Sequence, residues 1–140
     1  MIKSLPQLLT AMSLMGPAWP AWGLSLVIRD KSSAVVSYEL PTPSPDSSAG
    51  FVTVDGFTSH SIPFAGSEAG ITAIFGQGSE LEVITDTTMK AWGWCFAIDG
   101  KISDKMPDQV PMPTDAKVLR WFYAYALYDS GQWTGYCIED

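Results

Sequence analysis

"AWGWCFAIDG", residues 91–100, decides how the rest of the chain is read. Side chains on a strand alternate between faces. Trp92, Trp94, Phe96 and Ile98 therefore share one side of this stretch, and Ala91, Gly93, Cys95 and Ala97 share the other. Asp99-Gly100 closes it with a strong turn signal. The same division recurs in "KVLRWFYAYALY" (117–128). There Trp121, Tyr123, Tyr125 and Leu127 oppose Phe122, Ala124, Ala126 and Tyr128. Each strand pairs a bulky face with a mostly small one. Two arrangements follow for neighbouring strands with matched faces. Either the bulky face is the core, or a helix packs on the small face and leaves the bulky one to solvent or a ligand. Aromatic stripes are usually core, which favours the first arrangement; the polar tips of Trp and Tyr, which a sealed core must satisfy, weigh back toward the second.

Outward from these strands, "LSLVIRD" (24–30) and "AVVSYEL" (34–40) read as a strand pair around the turn-like "DKSS". "PTPSPDSSAG" (41–50) is a loop, and "FVTVDGF" (51–57) alternates as a short strand would. "GSEAGITAIFG" (66–76) reads as a two-turn helix, with Ser67 as N-cap and Ile71, Ile74 and Phe75 on one face. Gly76 suits its left-handed end. "ELEVITD" (80–86) is a further strand, 101–116 an irregular Pro-rich crossing, and "QWTGYCIED" (132–140) a last strand after the "DSG" turn. Strands, one short helix and more strands predict an α+β domain with a mixed sheet.

The N-terminus has the order of a secretory signal peptide. Lys3 precedes an apolar run from Leu5 to Met15, and small residues and prolines follow. Cleavage after Gly23 leaves residues 24–140 as the domain; cleavage after Ala18 is the alternative. The apolar run is short for a membrane span. A periplasmic or secreted location follows as the expectation. Without Lys3, seven basic residues face fifteen acidic ones, a net charge of −8. Such a surface repels phosphate backbones, which argues against nucleic acid as a partner. No basic amphipathic stretch points to a membrane surface, and no stable membrane insertion is expected.

Two cysteines, Cys95 and Cys137, lie in the exported part, and an even count there predicts a disulfide. One histidine, His60, and no CxxC spacing speak against zinc, so no metal site is expected. His60 has no nucleophile elbow in "FTSHSIP", and the carboxylates of Asp104 and Asp108 read as solvated charge. "GQGS" (76–79) lacks the lysine of a phosphate-binding loop. No catalytic residue is expected, and the chain reads as a non-enzyme requiring no cofactor.

Taken together, "WGWCFAIDG", the Pro-rich link and "LRWFYAYALYDSGQW" resemble the hallmark of transcobalamin C-terminal-like domains, over about residues 80–137. In that family a W-x-Y/F-x-V/I-D/N-G strand precedes a loop and a strand with W-x-Y. Trp92, Trp94, Phe96, Asp99 and Gly100 match the first motif, and Trp121, Tyr123 and Tyr125 the second. The resemblance implies a β-grasp-like fold, in which a mixed sheet cradles a helix. Most bacterial members are exported and lack a known ligand, whereas in animal cobalamin carriers a related domain covers one side of the corrinoid. It thus implies a corrinoid-like small molecule, cobalamin included, held by Trp92, Trp94, Trp121, Tyr123 and Tyr125. The other reading is a non-catalytic module that docks on an envelope protein through an edge strand or the same aromatic patch.

Overall fold

The computed structural model describes residues 22–140. The signal-peptide reading falls almost wholly outside them. Strand β1 (Trp22–Arg29) begins two residues before Leu24, the expected start of the domain.

Strand β1 buries Leu24, Leu26 and Ile28 and turns Ser25, Val27 and Arg29 the other way. It pairs antiparallel with β2 (Val35–Pro41). The "DKSS" turn is built by Asp30, whose carboxylate accepts from Ser32 N, Ser32 Oγ and Ala34 N. The hydrogen bond from Ser32 leads in holding that carboxyl below its ordinary range.

Two elements differ from the sequence reading. Residues 51–57 are helical, within α1 (Ala49–Ser59). Ser48 Oγ caps it by accepting from Phe51 N at 3.0 Å. Ala49, Val52, Thr53, Gly56 and Phe57 are among its buried residues, a helical stripe that outweighs the local alternation of Val52 and Val54. Conversely, residues 66–76 form no helix. They belong to a hairpin of β3 (Phe64–Ser67) and β4 (Gly70–Ile74). Gly66 takes φ +116°, and a Cβ there would lie 2.3 Å from the Gly70 carbonyl oxygen. Ser67 caps a turn rather than a helix, its Oγ accepting from Ala69 N.

Four of the remaining strands fall where the sequence places them: β5 (Glu80–Val83), β6 (Thr88–Ile98), β8 (Val118–Asp129) and β9 (Gln132–Ile138). The crossing segment read as irregular contains the two-residue strand β7 (Lys101–Ile102) and a single 3₁₀ turn at Pro107–Gln109. The main sheet runs β2-β1-β8-β6-β5, with β9 also on β8 and β7 also on β6. β1 and β8 are parallel and every other pair is antiparallel, so the sheet is mixed. With one α-helix among the described residues, the fold is α+β. Asp99, in the turn after β6, also fixes where β8 starts, because its Oδ1 accepts from Lys117 N and Val118 N.

The core answers the question posed by the aromatics. Helix α1 packs on the bulky face, and among the described residues the small face carries no helix. Trp121 is 2% exposed, stacks on Phe96 at 5.0 Å and meets Phe57 at 6.4 Å. Its Nε1 donates to Thr53 Oγ1 at 2.9 Å, which satisfies both buried polar groups. On the opposite face Ala97, Phe122 and Ala124 form a second cluster. The Cys95–Cys137 disulfide lies over it, with Cα atoms 5.9 Å apart. A small residue at Ala124 on β8, between the two cysteine-bearing strands, lets the end of β9 close in over the sheet.

A candidate binding cleft at the free edge of β6

Of the five aromatics expected to bind a ligand, four are sealed or roofed. Trp121 belongs to the core. Tyr123 is also buried: its hydroxyl donates to Gly78 O at 2.6 Å and receives Gln77 Nε2 at 3.2 Å. Trp92 stacks on Tyr123 with centroids 5.4 Å apart and donates from Nε1 to Glu82 Oε1 at 2.9 Å. Lys31 and Lys90 stand over its ring, and Lys90 Nζ sits 4.3 Å from the Tyr125 centroid. The Lys31–Glu80 ion pair, 2.9 Å long, completes this roof. The indole N–H groups of Trp92 and Trp121 and the Tyr123 hydroxyl thus find protein partners. Trp94 is the one whose ring stays open. It donates from Nε1 to Gln77 O at 2.8 Å, yet one side of the ring remains half-exposed.

Burial raises the Tyr123 phenol above its ordinary value, and the nearby Glu80 charge adds to the effect. The sign of the consequence is fixed: a raised folded value favours the folded state below the ordinary phenol value, near pH 10, and the contribution is lost as pH rises through the folded value. Stability is therefore expected to fall above about pH 10 together with phenolate formation. Following the phenolate absorbance and circular dichroism in one alkaline titration checks it. Unfolding that runs well ahead of phenolate formation would count against Tyr123.

Trp94 opens onto a cleft of about 520 Å³ that wraps around the edge of β6. This lies within the roughly 300–1,000 Å³ usual for small-ligand pockets. Trp94, Phe96 and an edge of Trp121 form the floor, Ile71 of β4 a wall, and Ile102 and Met106 the mouth. Met106 is 58% exposed and Ile102 48%, high values for apolar side chains beside a concave surface. The expectation of a ligand platform thus meets this cleft in Trp94 and Trp121 alone. Ile71, Ile102 and Met106 were missed. Their only signal was apolar residues in a Pro-rich segment and in a stretch read as helix.

The disulfide face carries a second apolar feature. Tyr128, Trp133 and Tyr136 form a row with centroids 5.0 and 6.4 Å apart. Leu81 and Val83 on edge strand β5 are 70% and 76% exposed. These aromatics also lie beyond residue 90, but on the side opposite to the one expected.

His60 is exposed and contacts the Glu39 carbonyl oxygen at 3.0 Å through Nε2. Among the described residues, no group of three His, Cys, Asp or Glu side chains could hold a metal ion. Nor is any helix among them long and apolar enough to cross a membrane.

No known protein-family model matches the chain. No curated protein matches it either. Among solved structures, it is similar to a Ruminococcus gnavus protein provisionally described as metal binding. The TM-score is 0.48 and the identity 12%, over 73% of this chain and 95% of that one. A likeness this distant carries no argument about fold or function.

Proposed function

We propose that the protein is a non-catalytic binding module of the periplasm or the secreted fraction, and that its site is the cleft at the edge of β6. The observation that carries this reading is the concave apolar surface beside Trp94, in a domain whose other interior aromatic tips are satisfied by protein partners. The disulfide supports export, since such bonds persist in oxidising compartments. A β-grasp-like domain of the transcobalamin C-terminal-like type is the family proposed. The strand pair ahead of one helix and the central parallel pair of β1 and β8 support it.

The first ligand to test is cobalamin, the corrinoid implied by the resemblance. Saturable quenching of tryptophan fluorescence is expected, with Trp94 as reporter and the signal largely lost in Trp94→Phe. No saturable change up to high micromolar cobalamin removes corrinoids from the proposal. A second reading, a module docking on an envelope protein, is favoured by a different observation: the exposed Leu81 and Val83 on edge strand β5. An apolar edge of this kind is a template for strand addition.

A further inference from the structure

The edge of β6 is not covered along its whole length. β5 pairs with it as far as Glu80 opposite Trp92, and β7 resumes at Ile102 opposite Ala97. Residues 93–95 lie between, because Phe96 O is already taken by Ser103 N. In an antiparallel ladder successive residues direct their N–H and C=O to opposite sides. Ile84 N donates to Thr88 O and Ser103 N to Phe96 O, so the even-numbered residues of β6 point away from β8. Trp94 has the same parity. It is paired only with Tyr123 on the β8 side, and among the described residues no strand lies opposite it on the outer side. Its N–H and C=O therefore open into the cleft, beside the apolar wall of Ile71 and Met106.

We propose that this gap is an acceptor slot for a short extended apolar segment of a partner protein, which adds to the sheet beside Trp94 between β5 and β7. The inference rests on the cleft being the binding site and deepens the protein-docking reading. A residue opposite Trp94 would exchange both backbone hydrogen bonds with it. Its side chain would fall on the same face as Trp94, toward Ile71 and Phe96. The slot spans three residues of β6, about 10 Å. That length admits a short extended segment and excludes the full edge strand of a second copy. A net charge of −7 for the whole chain favours a neutral or basic segment over an acidic one.

The test uses capped tetrapeptides with lysine at both ends and Val, Ile, Leu or Phe at the two inner positions. Amide exchange is read by NMR on the intact domain. In the free protein, the Trp94 amide should exchange at least tenfold faster than those of Gly93 and Cys95, which face β8. A binding peptide should slow Trp94 exchange selectively. N-methylation of the peptide residue facing Trp94 should weaken binding at least tenfold, as should Met106→Glu at an unchanged Tm. Binding that leaves Trp94 exchange unchanged overturns strand addition while leaving the cleft reading intact. So does equal affinity for the N-methylated peptide. Failure of the whole library, with cobalamin bound, overturns the peptide slot and leaves a small-molecule site. Failure of both probes overturns both readings.

Discussion

Trp121→Ala is expected to destabilise the domain by about 3–5 kcal/mol, the range for deleting a buried aromatic. The side chain stacks on Phe96, abuts Phe57 and holds the Thr53 hydroxyl of α1. Removing it leaves that hydroxyl buried without its partner, which adds a penalty of about 1–3 kcal/mol unless water enters. Against a total stability of about 5–15 kcal/mol, the variant stands near the threshold of folding. Trp121→Phe keeps most of the apolar volume and loses the hydrogen bond, so a smaller loss is expected. Urea unfolding of the three proteins measures the series. An alanine variant with wild-type stability that loses only ligand binding would show Trp121 to be part of an open platform.

Loss of the Cys95–Cys137 bridge has the second largest expected effect. The cysteines are 42 residues apart, and closing such a loop contributes about 4 kcal/mol in the chain-entropy model. What remains at the C-terminal end is modest. Glu139 pairs with Arg29 and Arg120, and partly exposed ion pairs of this kind contribute at most about 1 kcal/mol each. In the double variant Cys95→Ala/Cys137→Ala, or under reductant, Tm should fall by roughly 10–20 °C. Material isolated without reductant should be about 2 Da lighter than the reduced chain, the two thiol hydrogens being absent from the bridge. A Tm indifferent to reductant would show that the tail is held by the ladder and the ion pairs alone. The small-residue floor around Ala124 would then need another explanation than access for the bridge.

Much of the second half of the fold is legible in the sequence because its signals are local and mutually consistent. The period-2 pattern of residues 88–98 and 118–129 and the Asp99-Gly100 turn all favour the same backbone, and the structure has it. The middle of the chain is read wrongly where local and tertiary preferences conflict. "FVTVDGF" is β-branched and alternating, yet Ser48 caps a helix there, and burying Val52, Thr53, Gly56 and Phe57 together requires one. Gly56 also brings the helix close to β2 and β1, since a Cβ there would lie 3.0 Å from Leu40 Cδ1. In "GSEAGITAIFG" the apolar spacing fits helix and hairpin alike. The left-handed Gly66 and its close approach to Gly70 decide for the hairpin, and no spacing rule displays them.

The binding surface was the least legible part. Composition directed attention to the aromatics beyond residue 90, and Trp94 does line the cleft. Yet which tryptophan is sealed depends on segments distant in sequence. Gln77 and Gly78 accept from Trp94 and Tyr123, Glu82 accepts from Trp92, and Lys31 and Lys90 roof Trp92. The sequence by itself determined that two strands carry unlike faces, that Cys95 sits on the small face, and that this cysteine can bridge to the C-terminal strand. Only the tertiary structure decided which face is the core, because that depends on where α1 docks and on whether distant loops satisfy the polar tips of the aromatics. The gap beside Trp94 has the same origin. It exists because β5 ends and the β7 segment begins on either side of residues 93–95, a matter of pairing between segments that no single stretch encodes.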